Sequence, residues 1–430
     1  MGYVTVAEDY STLSQLERAN GYLTKAFQLR QHASEWEKLR ITGNYYSSIA
    51  GDLNQAAETY REMAESYPRA SSPYFSLGYV YGEQGQYEKA AEMTTQAVRL
   101  APDYVAAYEN LANFELALQR FDQAQLIVHD AQARKLDDYQ LHGAFYALAF
   151  DAADSAAMAE QLRWFAARTE YERFGLALSS DTEAYEGHLA KARALTKRAA
   201  DSAVRADSKE TGALWRATAA QREAAYGNAT EARQMAAEAL MLDRASRGVE
   251  SEAALALAMA GDTIRAKSLA QDLERRFPLD TQIQSIWLPA IHAELALDAK
   301  NPALALNFLQ SASSIEFGQI MFANSVSCLY TVYVRGEAYL AVGQGSAAAS
   351  EFQKLQDHNG IVWNCWTGAL AHLGVARANA LQARTSRGAD SEAARTRALA
   401  TYKDFLTLWK DADPDIPLLK QAKAEYTKLQ

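Results

Sequence analysis

The sequence is short of the residues that break helices, clamp metals or grip polyanions. Only 8 of its 430 residues are proline, and no run of five or six Lys or Arg occurs. The formal charge is −10, which opposes a nucleic-acid role, because that affinity rests on cations neutralising phosphates. An anionic lipid surface is disfavoured on the same ground. No stretch of 18 apolar residues is present, so no membrane insertion of this segment is expected, and MGYVTVAEDY lacks the layout of a signal peptide. The chain reads as a soluble segment, cytoplasmic by default, or extracytoplasmic if an anchor or signal precedes it in a longer parent.

Catalytic and metal-binding constellations are missing too. Seven histidines are scattered, none paired at i,i+3 or i,i+4 and none beside a cysteine at zinc spacing. DADPD (Asp411–Asp415) has alternating acids, but a calcium loop would need glycine and glutamate where Ile416 and Ala422 stand. Asp415, ahead of Ile416-Pro417, reads instead as the N-cap of a final helix. Gly343 and Gly345 in VGQGSAAA follow no strand and make no phosphate cradle. No catalytic residue, metal or cofactor is therefore assigned, and the chain is read as non-enzymatic.

What the sequence does hold is helix-forming composition with 49% hydrophobic residues and 23 tyrosines, more aromatic than a simple coiled coil needs. It also repeats. Take Ser71 as position 1 of SSPYFSLGYVYGEQGQYEKAAEMTTQAVRLAPDY. Tyr74, Leu77, Gly78 and Tyr81 then fall at 4, 7, 8 and 11, and Gly85, Ala90, Ala97 and Pro102 at 15, 20, 27 and 32. Small residues at 8 and 20 let two helices cross closely, position 15 turns the chain, and the proline at 32 stops the second helix. Thr94 stands at 24, where an aromatic is usual. A step of 34 residues recovers the pattern backwards at Gly51, Ala56, Tyr60 and Pro68 and forwards at Tyr108, Leu111, Ala112 and Ala124. It reappears after slips near 207–213, 280–286 and 313–328, and fits the N-terminus at Ala7, Ala19, Leu23 and Ala26.

This pattern resembles the tetratricopeptide repeat. The resemblance implies an all-α, right-handed superhelical solenoid of about eleven helical hairpins with a C-terminal capping helix in IPLLKQAKAEYTKLQ. The chain reads as one solenoid, 1–430, in sub-blocks 1–207, 208–280 and 281–430, with flexible joints expected at the slips. Two all-helical domains meeting near residue 210 are the alternative. Cys328 and Cys365 fall just before the first helices of adjacent hairpins. Neighbouring helix axes lie ~8–10 Å apart, whereas a disulfide needs Cα atoms within ~7 Å. Two unpaired thiols are expected.

VYVRGEAYLAVGQGSAAASEFQKL, GALAHLGVARANALQ and YKDFLTLWKDADPDIPLLKQAKAEYTKLQ resemble, more narrowly, the C-terminal repeat regions of bacterial Ser/Thr protein kinases and related winged-helix regulators. The likeness departs at Cys365 in WNCW and at Asn379. No HRD or DFG segment is present, so it implies the sensing or docking half of a signalling protein.

In tetratricopeptide repeats, positions 2, 5, 9, 12 and 13 face the concave groove. Carried onto this chain, they assign Lys38, Ile41, Tyr45, Phe75, Tyr79, Glu83, Glu109, Asn113 and Leu116 as the partner-binding groove. Only Lys38 and Asn113 suit a clamp for a C-terminal carboxylate; the aromatics suit an apolar peptide or partner helix. The same side chains could instead fill the groove among themselves. The partner is expected to be a protein or peptide. The alternative function is structural, with uncovered ends stacking copies head to tail into an oligomer or filament.

Overall fold

The computed structural model describes residues 2–13, 15–320 and 325–430, and among these no strand occurs. Eleven antiparallel helical hairpins follow one another. The first seven pair Gly2–Thr12 with Leu16–Leu29, Glu35–Asn44 with Leu53–Ser66, Ser71–Glu83 with Tyr87–Leu100, Val105–Ala117 with Phe121–Ala133, Tyr139–Asp151 with Ser155–Ala166, Glu172–Tyr185 with Leu189–Arg205, and Lys209–Ala225 with Ala229–Leu242. The last four pair Arg247–Met259 with Thr263–Arg276, Leu288–Asp298 with Pro302–Phe308, Tyr330–Ala341 with Gly345–Asp357, and Trp366–Thr385 with Gly388–Leu408. Pro417–Leu429 closes the chain, which is an all-α solenoid.

The repeat positions explain the packing. Ala56, Ala90, Ala97, Ala112, Ala124 and Ala131 are fully buried where the helices cross. The aromatic at position 24 lies over a small residue of the first helix: a Cβ on Gly336, at position 8, would come within 2.7 Å of Phe352, and one on Gly43, at position 7 by the 34-residue count, within 2.5 Å of the Tyr60 ring. Where position 8 is Gly78, the partner is Thr94, wholly buried and with its hydroxyl unpaired. The hairpin turn needs a left-handed residue. Gly85 and Gly187 supply it at φ 72° and 82°, but Gln119 and Ala153 hold the same place at 60° and 52°.

One feature was not foreseen from the repeat. After about seven hairpins the coil comes round and rests on its own beginning. The Ser208 hydroxyl donates to the Leu13 carbonyl (3.0 Å), the Thr281 amide to Gly51 (2.8 Å), the Gln319 amide to Gly82 (2.9 Å) and the Asp413 amide to Gly187 (3.0 Å). All three slips in the repeat lie on this seam, although residues 321–324 of the third are outside the described residues. Side chains of the second coil also cap helices of the first. Thr281 Oγ1 accepts from the Leu53 amide (3.1 Å), and Asp413 Oδ2 from the Ala190 amide (2.7 Å). A contiguous core consequently runs from Leu53 to Ala422.

Two expectations are corrected here. Cys328 and Cys365 are bonded to each other, with Cα atoms 5.6 Å apart. The helix-axis spacing does not govern them, because both lie in the approach segments ahead of the helices. The Ser327 amide bonds the Ile361 carbonyl (3.1 Å) and the Thr367 hydroxyl bonds the Cys328 carbonyl (2.7 Å), drawing those segments together. Asp415 does not cap the last helix either. Ile416 occupies that place with no side-chain bond, ahead of Pro417, whose missing N–H needs no cap.

Candidate binding channel

The first helices of hairpins one to seven surround a cavity of about 740 Å³. Ile320, Val326 and Trp363 of the second coil cover part of it. Of the groove residues expected from the repeat, the structure brings Phe75, Tyr79, Glu109 and Asn113 together on its wall. The others lie elsewhere. Ile41 is buried against Val4 and Leu23, Tyr45 stacks on Phe27 at 3.7 Å between centroids, and Lys38 pairs with Glu35 at 2.7 Å.

The cause in hairpin two is local. Residues 45–50 form a wide π turn that takes up one extra residue, so the residues ahead of it stand one place out of the 34-residue register, and Arg40 and Asn44, with Ser47 and Ser48 in the turn itself, look into the channel instead. Glu83 and Leu116, at positions 13 and 12, sit at helix ends where the second coil docks. The Gln282 side chain donates to the Glu83 carbonyl (3.3 Å), and Gly360 packs on the Leu116 carbonyl. The Glu83 carboxyl is buried near Arg247 and Asp280, one of its oxygens has no partner, and burial pushes its pKa up to about 8.

The channel wall is aromatic and hydroxyl-rich, with few charges. Phe75 meets Tyr104 edge-on at 4.9 Å and Tyr139 stacks on Phe174 at 4.3 Å. Ser11, Ser47, Ser48, Ser72 and Ser76 provide polar edges. Arg40 is answered by Glu8 at 2.5 Å. Glu109 is only 7% exposed, and no hydrogen bond or ion pair joins it to another described residue. Burial, with the charge of Asp138 behind it, holds the Glu109 pKa well above the usual carboxylate range. Burial also raises the pKa values of Tyr79, Tyr104 and Tyr139, with the charge of Glu109 adding to each. Asn113 Oδ1 and Gln319 Oε1 are buried acceptors without a partner.

Reasoning from repeat positions missed Asp138, Tyr139 and Tyr104, which stand in the linkers and first turns ahead of the inner helices. Asp138 is legible as an N-cap, and its Oδ1 does accept from the Gln140 amide at 3.0 Å. Glu183, Glu186 and His188 converge at another hairpin turn. Lys191 and His188 already take the two oxygens of Glu183, at 2.6 and 2.9 Å, and no metal is assigned there.

Residues 81–148 match the family described as Tetratricopeptide repeat. Repeats of this family typically bind proteins or peptides. No curated protein matches the chain in sequence. Among solved structures it is similar to yeast Tom70, at 14% identity and a TM-score of 0.37, covering 92% of this chain and 95% of the other. The TPR domain of P58(IPK) is similar at 15% identity and 0.25, covering 92% and 99%. A tetratricopeptide repeat protein from Parabacteroides merdae is similar at 14% and 0.27, covering 80% and 98%. At these values no role is taken from any of them.

Proposed function

We propose that the chain is a non-catalytic interaction module that takes a peptide segment of a partner protein into the channel inside its first seven hairpins. The observation that carries this is the cavity of about 740 Å³ whose wall leaves buried acceptors on Asn113 and Gln319 unpaired. Peptide amides are donors suited to such acceptors, and an unpaired buried acceptor costs about 1–3 kcal/mol until it is met. Aromatic walls add contact area at low entropic cost. A docking role within a bacterial signalling protein belongs to the same reading and rests on the stretch VYVRGEAYLAVGQGSAAASEFQKL and its companions.

Gly143 offers a clean test. It lines the channel, and a Cβ there meets nothing within 4 Å. Gly143→Trp should fill the space while leaving the helix intact. Random displayed peptides selected on the wild-type protein should lose binding to this variant, as should selection on Tyr79→Glu. Peptides that bind all three proteins equally would place the site elsewhere.

A further inference from the structure

The channel is unevenly charged in a way that bears on its occupant. Its described lining holds Glu8, Arg40, Glu109 and Asp138 as the only formal charges. Arg40 is spent on Glu8, which leaves two acids with no cation facing them from the wall. Their settings differ. Asp138 is tied to the start of its helix by the Gln140 amide, whereas Glu109 has no such bond among the described residues and is nine-tenths buried. Beside it on the same helix is Asn113, 9% exposed, with its side-chain oxygen unpaired. Tyr79, Tyr104 and Tyr139 come from three other places in the chain and lie within electrostatic reach of Glu109.

A buried carboxylate with no partner is unfavourable by itself, and an ammonium or guanidinium beside it removes that cost. Aromatic faces around the same point favour a cation as well. We infer that the channel selects peptides by a Lys or Arg side chain that seats against Glu109 and Asp138, among Tyr79, Tyr104 and Tyr139, with Asn113 accepting one of its N–H groups. This rests on the peptide-channel reading above and adds the chemistry of the residue being recognised. It is the opposite of a carboxylate clamp, which would need cations where these acids stand.

The test uses the full chain and a displayed library of random octapeptides, followed by fluorescence anisotropy on synthetic peptides. Peptides selected by the wild type should share a Lys or Arg at one position, and changing that residue to norleucine should weaken binding at least about tenfold. Glu109→Gln, which keeps the shape, should abolish the basic preference while other positions stay selected. Asp138→Asn retains the cap and should reduce the preference in part. Circular dichroism on each variant confirms that it is folded. Peptides that bind with no basic preference, or a preference unchanged in Glu109→Gln, would overturn the inference and leave the channel reading standing. If no peptide is selected by the wild type, both fall.

Discussion

The indole N–H of Trp409 donates to the main-chain carbonyl of Tyr185 over 2.9 Å, joining residues 224 apart in the chain. The ring itself is 1% exposed and meets Tyr226 edge-on at 4.9 Å. This contact ties the eleventh hairpin to the sixth and seventh. In a simple repeat array each hairpin touches only its neighbours and can fray alone. Here the later hairpins hold the earlier ones.

Two glycines with the same backbone isolate that effect. Gly187 and Gly343 both have φ of 82°. A Cβ at Gly343 meets nothing within 4 Å, whereas one at Gly187 would come within 2.5 Å of Ala412 and 3.1 Å of Trp409. Gly343→Ala should cost about 1 kcal/mol, the strain of a left-handed alanine. Gly187→Ala should cost roughly 1–3 kcal/mol more through the clash at the seam. Urea unfolding of the pair measures the difference, and equal losses would mean that the seam contributes little.

The Cys328–Cys365 bond closes a loop of 37 residues. Loop entropy gives such a bond about 3–4 kcal/mol. Cys328→Ala with Cys365→Ala, or reduction by dithiothreitol, should lower the melting temperature while keeping helical content. Maleimide should label no thiol in the denatured protein unless it has first been reduced. A bond of this kind persists in an oxidising compartment, so labelling of protein taken directly from its source also reports where the chain resides.

Glu83 should make stability depend on pH. Its carboxyl is raised from 4.5 to about 8 by burial, against a lowering by Arg247 and a raising by Asp280. Between those values the folded chain keeps a proton that the unfolded chain gives up. Stability from this group is therefore full below about pH 4.5 and is lost as pH rises through 8. Glu83→Gln should match the wild type at pH 4.5 and melt at a higher temperature at pH 8.5. Parallel melting curves across that range would show that Glu83 ionises freely.

Ala153 turns the fifth hairpin at φ 52°, a place where glycine serves in hairpins three and six. Ala153→Gly should stabilise the fold by about 0.5 kcal/mol, strain relief outweighing the extra chain entropy of glycine. A loss in denaturant melts would show that the turn is not strained.

The repeat itself was legible because it depends on nearest neighbours. Ala90 and Ala97 announce a close crossing, and Gly85 and Pro102 mark where helices stop. Channel residues at positions 5 and 9 followed from the same register: Phe75, Tyr79, Glu109 and Asn113 all reach the wall. What failed depended on things a 34-residue period does not carry. The π turn at 45–50 moved Ile41 and Tyr45 off the channel face. The second coil covered the ends of two inner helices, at Glu83 and Leu116, and brought the approach segments holding Cys328 and Cys365 together. Some trace of that closure is present in the residues: Gly318 and Gly360 stand outside the repeat register, each where a side chain would strike a carbonyl of the first coil. Nothing in local composition says which carbonyl.

Because Ile320, Val326 and Trp363 cover part of the space that seven hairpins surround, a peptide of the kind proposed would find that side narrowed and would enter more readily by threading from an end. Free tails and long unfolded linkers can do this, while a short loop held at both ends by folded domains cannot. Capture would then be slow for its affinity, and release equally slow, giving long-lived complexes from modest contact energies.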